Sequence, residues 1–148
     1  MGRVSSELGQ RVYLDSNIVI YTVEGFADYA DQIHALLEAM DTGEIVAVTS
    51  ELTLAETLVK PLKDQSLAIQ QAYRTFLTPT IALEVIPISR EILEDAAQLR
   101  ASSKLKLPDA IQLATAFHEH CDSFLTNDDG FKSLNLAMIK ILSETSLT

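Results

Sequence analysis

The chain has 148 residues, with 21 acidic against 11 basic side chains and a formal net charge of -10. That length suits one well-buried domain and is short for two, and an apolar share of 47% argues against extensive disorder. The acidity excludes a general nucleic-acid binder, whose affinity comes from neutralising phosphates, so any nucleic-acid chemistry would need cations and a local basic rim.

The opening MGRVSSELGQ lacks the apolar core of a secretory signal. It matches a myristoylation pattern through Gly2 and Ser6, but no basic cluster or second lipid site reinforces it. A frayed tail over residues 1–10 is the plainer expectation, followed by a single domain over 11–148. No apolar run approaches the roughly 18 residues of a membrane span.

Beyond the tail, short apolar runs alternate with helical patterns. Strands are expected at Val12–Leu14, Ile45–Thr49, Leu83–Ile88, Ser123–Leu125 and Ala137–Leu142. Helices are expected near residues 17–23, 27–42, 51–62, 66–78, 89–103 and 108–120. In the 89–103 segment Ile92, Leu93, Ala96, Ala97, Leu99 and Arg100 recur at helical spacing, and Ser89 is positioned as an N-cap. Strands alternating with helices indicate an α/β fold, a three-layer α/β/α sandwich around a mostly parallel sheet. In such sheets sites form beyond the carboxyl ends of the strands, where strand order reverses.

Four acids stand out against that frame. Asp15 follows the first strand in RVYLDSNIVIY, and Asp128 follows the fourth in SFLTNDDGF. Asp15 alone would serve as an ordinary N-cap, and Asn127, Asp128 and Asp129 as an ordinary turn. Glu56 lies beside the apolar face formed by Leu52, Leu54, Leu58 and Val59, where a carboxylate is costly unless satisfied; pairing with Lys60 is the bland alternative. Asp109 follows Pro108 in a first helical turn, where a negative charge offsets the helix dipole. Gathered together, these carboxylates would repel one another, and a hard divalent cation such as Mg²⁺ or Mn²⁺ would relieve them. Zinc is disfavoured, because His118, His120 and Cys121 lack suitable spacing. The lone Cys121 allows no internal disulfide, which suits a reducing cytoplasm, and is expected to be a small apolar residue rather than a nucleophile.

LDSNIVIY, TSELTLAE, LPDAIQLATA and FLTNDDGF, in that order, closely resemble the four acidic motifs of PIN domains, in particular VapC-type toxins of toxin–antitoxin pairs. The resemblance runs from about Val12 to Leu142. It implies an RNA-cleaving enzyme using Mg²⁺ or Mn²⁺, commonly a homodimer, with a small antitoxin as partner. Asp15, Asp109 and Asp128 correspond to metal ligands and Glu56 to the fourth catalytic acid, with Ser16, Asn17, Thr126 and Asn127 in support. Asp128 and Asp129 compete for the last acidic position, and Thr-x-Asp spacing favours Asp128.

Lys60, Lys63, Lys104, Lys106 and Lys132 neighbour the motifs and are candidates for RNA phosphate contacts, though each also reads as a solvated charge. A haloacid-dehalogenase-like phosphotransferase also uses an Asp after its first strand, but needs a second acid where this chain has Asn17. A non-catalytic PIN-like scaffold binding RNA or protein is the remaining alternative.

Overall fold

The computed structural model describes residues 2–148. Its strands are β1 (Arg11–Leu14), β2 (Val46–Ser50), β3 (Leu83–Ile86), β4 (Ser123–Thr126) and β5 (Ile139–Ile141). They form one five-stranded sheet in the order β3-β2-β1-β4-β5, and every pairing is parallel. Strand order reverses at β1: β2 and β3 extend to one side, β4 and β5 to the other. The crevice beyond the ends of β1 and β4 is therefore the topological switch point, where open α/β sheets bind ligands.

The helices are α1 (Arg3–Leu8), α2 (Ser16–Ile20), α3 (Ala30–Asp41), α4 (Glu51–Lys63), α5 (Leu67–Phe76), α6 (Arg90–Ser102) and α7 (Leu107–His118). They cover both faces of the sheet, because successive strand residues point opposite ways. Val12 and Leu14 of β1 enter a core with Ala47, Leu83 and Leu125, packed against Ile18, Leu36 and Tyr73. Tyr13, between them, enters a second core with Val48 and Phe124, packed against Ile92, Ala96, Ala110 and Leu113. Tyr13 and Phe124 stack there with ring centroids 5.2 Å apart. The result is the expected three-layer α/β/α arrangement.

Residues 3–8 are not a frayed tail. They form α1, with Val4 and Leu8 buried in the first core. Backbone groups nearby are tied down as well: Gln10 and Arg11 N–H both donate to Asp122 Oδ2 at 2.9 Å. Elsewhere the differences are local. The strand expected to reach Ile88 ends at Ile86, because Pro87 has no N–H to continue the ladder. The last expected strand narrows to Ile139–Ile141 and turns into a short 3-10 helix over Leu142–Glu144. In α6 Ile92 and Ala96 face inward, whereas Leu93 and Ala97 are exposed. Ser89 caps that helix as expected, its Oγ accepting from Ile92 N–H at 3.1 Å. Among the described residues no helix is long and apolar enough to cross a membrane.

Candidate active site

The β1 strand passes directly into α2, and Asp15 is the N-cap between them. Its Oδ1 accepts from Ser16 N–H at 2.9 Å, satisfying one of the free donors of a helix start. Its Oδ2 accepts from Thr126 Oγ1 at 2.7 Å and more distantly from Asn17 Nδ2 at 3.4 Å. An N-cap on the surface would need no further explanation, but Asp15 is only 3% exposed. Burial pushes its carboxyl up to about 7, aided by the charges of Asp109 and Glu56 and resisted by the Thr126 and Ser16 donors.

The end of β4 mirrors this construction. Thr126 is fully buried, and its hydroxyl oxygen also accepts from Asp128 N–H at 3.1 Å and Asn17 Nδ2 at 3.2 Å. One threonine thus joins the residues following both strands. Asn17 Oδ1 accepts from Asn127 N–H at 3.1 Å, closing the connection from the other side. Asn127 is held in turn by its Nδ2 on Tyr21 Oη at 3.3 Å and its Oδ1 on Ser143 N–H at 3.1 Å. Ser16, Asn17, Thr126 and Asn127 therefore form one hydrogen-bonded frame around Asp15.

Asp109 enters from α7, where Lys106 is the cap, Leu107 the first residue and Pro108 the second. Desolvation raises its carboxyl most, with further repulsion from Asp128 and then Glu56, partly offset by Lys106. Glu56, half-buried on α4, does not pair with Lys60; that lysine binds Asp64 at 3.0 Å. Instead Glu56 Oε1 accepts from Gln112 Nε2 at 2.7 Å. Repulsion reaches Asp15 from Asp109 and Glu56, and Asp109 from Asp128 and Glu56, so the four acids lie within electrostatic reach of one another. Asp128 and Asp129 are both exposed; Asp128 Oδ1 accepts from Gly130 N–H at 2.8 Å, whereas Asp129 pairs with Lys132 at 3.5 Å.

The donor set is entirely oxygen, which suits a hard divalent cation, and a buried carboxylate raised to about 7 is one that a cation would relieve. The acids are not already drawn into a cage. Among the described residues no three acidic, histidine or cysteine side chains form a ready-made ligand cluster. His118 pairs with Glu119 at 3.0 Å and Glu91 at 3.5 Å. Burial pushes the Cys121 thiol up to about 12, consistent with an inert residue.

Of the five lysines, Lys106 lowers the Asp109 carboxyl. Lys60 is committed to Asp64, and Lys132 to Glu144 and Asp129, while Lys63 and Lys104 are exposed. Sequence reasoning missed Gln112, Tyr13, Thr49 and Thr53, a buried polar group behind Glu56. Gln112 carried a signal: it is the one amide in the run Ala110–Ala116, three residues after Asp109 and on the same helical side.

The PIN domain family model matches residues 12–136. The chain belongs to the PIN-domain family. Among curated proteins no sequence matches significantly. Solved structures do resemble this PIN domain. A toxin–antitoxin complex from Klebsiella pneumoniae shares 28% identity at a TM-score of 0.65, over 88% of this chain and 97% of that one. VapBC2 from Rickettsia felis, bound to a promoter DNA fragment, shares 20% at a TM-score of 0.70, over 89% and 98%. VapC20 from Mycobacterium tuberculosis, a toxin that cleaves the sarcin–ricin loop, shares 15% at 0.66, over 87% and 98%.

Proposed function

We propose that this PIN domain is a metal-dependent endoribonuclease and the toxin of a type II toxin–antitoxin pair. The observation that carries the reading is the electrostatic linkage of Asp15 with Asp109 and Glu56, and of Asp109 with Asp128 and Glu56, in a sheet whose strand order reverses at β1. The toxin–antitoxin likeness at 28% identity and the RNA-cleaving activity of VapC20 support the substrate class.

Asp15, Asp109 and Asp128 would hold Mg²⁺ or Mn²⁺ through carboxylate oxygens, with Glu56 alongside. A divalent cation bound there acidifies a water and neutralises charge on the phosphoryl group being transferred. The chain itself does the positioning. Ser16 N–H and Thr126 Oγ1 aim the two oxygens of Asp15, while Asn17 and Asn127 lock the loops that follow β1 and β4. Glu56, with its Oε1 held by Gln112, would orient the attacking water. Lys106, beside Asp109, contacts an RNA phosphate; Lys63 and Lys104 are weaker candidates, and Lys60 and Lys132 would first have to leave their carboxylate partners.

The net charge of -10 favours a basic segment on the antitoxin, because opposite fields speed and select encounters. Exposed Val59, Leu62 and Leu67 on α4 and α5 support a homodimer through that face. Such a pair would act in the cytoplasm. Purified protein with Mn²⁺ should cleave RNA, and Asp15→Asn or Asp109→Asn should abolish cleavage. Unchanged RNA binding with no cleavage by the unmutated protein would instead establish the non-catalytic scaffold.

A further inference from the structure

Behind Glu56 the chain buries four polar side chains, Tyr13, Thr49, Thr53 and Gln112, each with no exposed surface. A buried polar network costs stability unless every member is satisfied. Here it is: among the described residues no buried side-chain nitrogen or oxygen lacks a partner.

The direction of each bond follows from counting protons. The carbonyl of Leu14 can only accept, so Thr49 gives it its single hydroxyl proton at 2.9 Å. The Thr49 oxygen then accepts from Thr53 Oγ1 at 2.8 Å. With its proton used there, Thr53 accepts from Gln112 Nε2 at 3.1 Å; its 3.4 Å approach to Gln112 Oε1 is the poorer geometry. The other Nε2 proton goes to Glu56 at 2.7 Å, and Tyr13 Oη donates to Gln112 Oε1 from the opposite end. A reversed amide would set Oε1 against the glutamate and against the Thr53 oxygen, whose proton is committed to Thr49, and would take from the Tyr13 hydroxyl proton its acceptor. The orientation of Gln112 is therefore fixed by Thr53, Thr49 and the Leu14 carbonyl as well as by Glu56 itself.

Leu14, where the chain of bonds terminates, immediately precedes Asp15. The network thus connects the backbone bearing one acid to the side chain of another, through strands β1 and β2 and helices α4 and α7. We infer that Gln112 is a positioning residue, which holds Glu56 at a set place relative to Asp15 by way of Tyr13, Thr53 and Thr49. This inference rests on the ribonuclease reading of the cleft. Losing such a supporting contact typically costs about 10- to 100-fold in activity or metal affinity.

The test is Gln112→Met, which keeps the side chain's length and removes both hydrogen-bonding ends. In a Mn²⁺-dependent RNA cleavage assay kcat should fall about 10- to 100-fold with KM changed less than about twofold. In a Glu56→Ala background the same substitution should cost less than about twofold, because the group it positions is gone. Wild-type kcat in Gln112→Met, or an equal loss in both backgrounds, overturns the inference. If Gln112→Met does not fold, Tyr13→Phe, which takes the donor from Gln112 Oε1 and loosens the amide, should show the same dependence on Glu56, and its absence is equally fatal. If the unmutated protein cleaves no RNA, the ribonuclease reading fails by itself. A crystal structure of Gln112→Met then decides the positioning claim: a Glu56 carboxylate displaced relative to Asp15 sustains it and an unmoved one overturns it.

Discussion

Thr126 Oγ1 donates to Asp15 Oδ2 at 2.7 Å while accepting from Asp128 N–H at 3.1 Å, so one hydroxyl on β4 fixes the acid that follows β1 to the loop that follows β4. Thr126→Val should therefore damage both ends. It leaves a buried carboxylate oxygen and a backbone N–H short of a partner, a loss of about 1–3 kcal/mol. Urea unfolding should record that loss, and Thr126→Ser should recover most of it.

The Asp15 carboxyl, raised from 3.8 to about 7 in the folded protein, makes metal-free stability depend on pH. Between those values the folded state binds the proton and the unfolded state does not. Stability from this group is thus fully present below about pH 4 and declines as pH rises through 7, by up to about 4 kcal/mol. Asp15→Asn removes the titration, so relative to wild type the metal-free variant should gain stability steadily from pH 4 to 8. Because protons compete with the cation, Mn²⁺ should raise the melting temperature of wild type more at pH 8 than at pH 6. A stability difference independent of pH would contradict both expectations.

The neighbouring acids of the fourth motif should separate cleanly. Asp128 presses on Asp109 electrostatically, whereas Asp129 is turned toward Lys132. Asp128→Asn should lower RNA cleavage by at least about 100-fold, the scale expected when a group stabilising transition-state charge is lost. Asp129→Asn should stay within about twofold, since an exposed pair contributes little. Steady-state kinetics on one RNA substrate compares them.

Lys106 is predicted to matter through charge. Its ammonium lowers Asp109, so Lys106→Ala should raise the Asp109 carboxyl further and shift the pH–rate profile toward higher pH. KM for RNA should rise, and its dependence on salt should weaken. Lys60→Ala, which only releases Asp64, should leave both unchanged.

Much of the fold was legible because the buried strands are written as short apolar runs and the helices as longer amphipathic ones. What escaped was written too briefly. The α1 helix has six residues, and its burial signal is a single pair, Val4 and Leu8, four apart in an otherwise polar stretch. The four acids could be found singly because each follows a strand or sits at a helix start or beside an apolar face. Their supporting network could not, since Tyr13, Thr49 and Thr53 look like ordinary strand and helix residues until tertiary packing brings them against Gln112. Asp128 and Asp129 are alike in type, and in the sequence only the Thr-x-Asp spacing favours Asp128; the partners of each side chain then separate them.

Crystals of the protein soaked in Mn²⁺ and measured for anomalous scattering test the central claim most directly. A peak bounded by carboxylate oxygens of Asp15, Asp109 and Asp128, lost in Asp15→Asn, is the expected result. An occupied Mn²⁺ site elsewhere with this cleft empty, or a peak that survives the substitution, would contradict it.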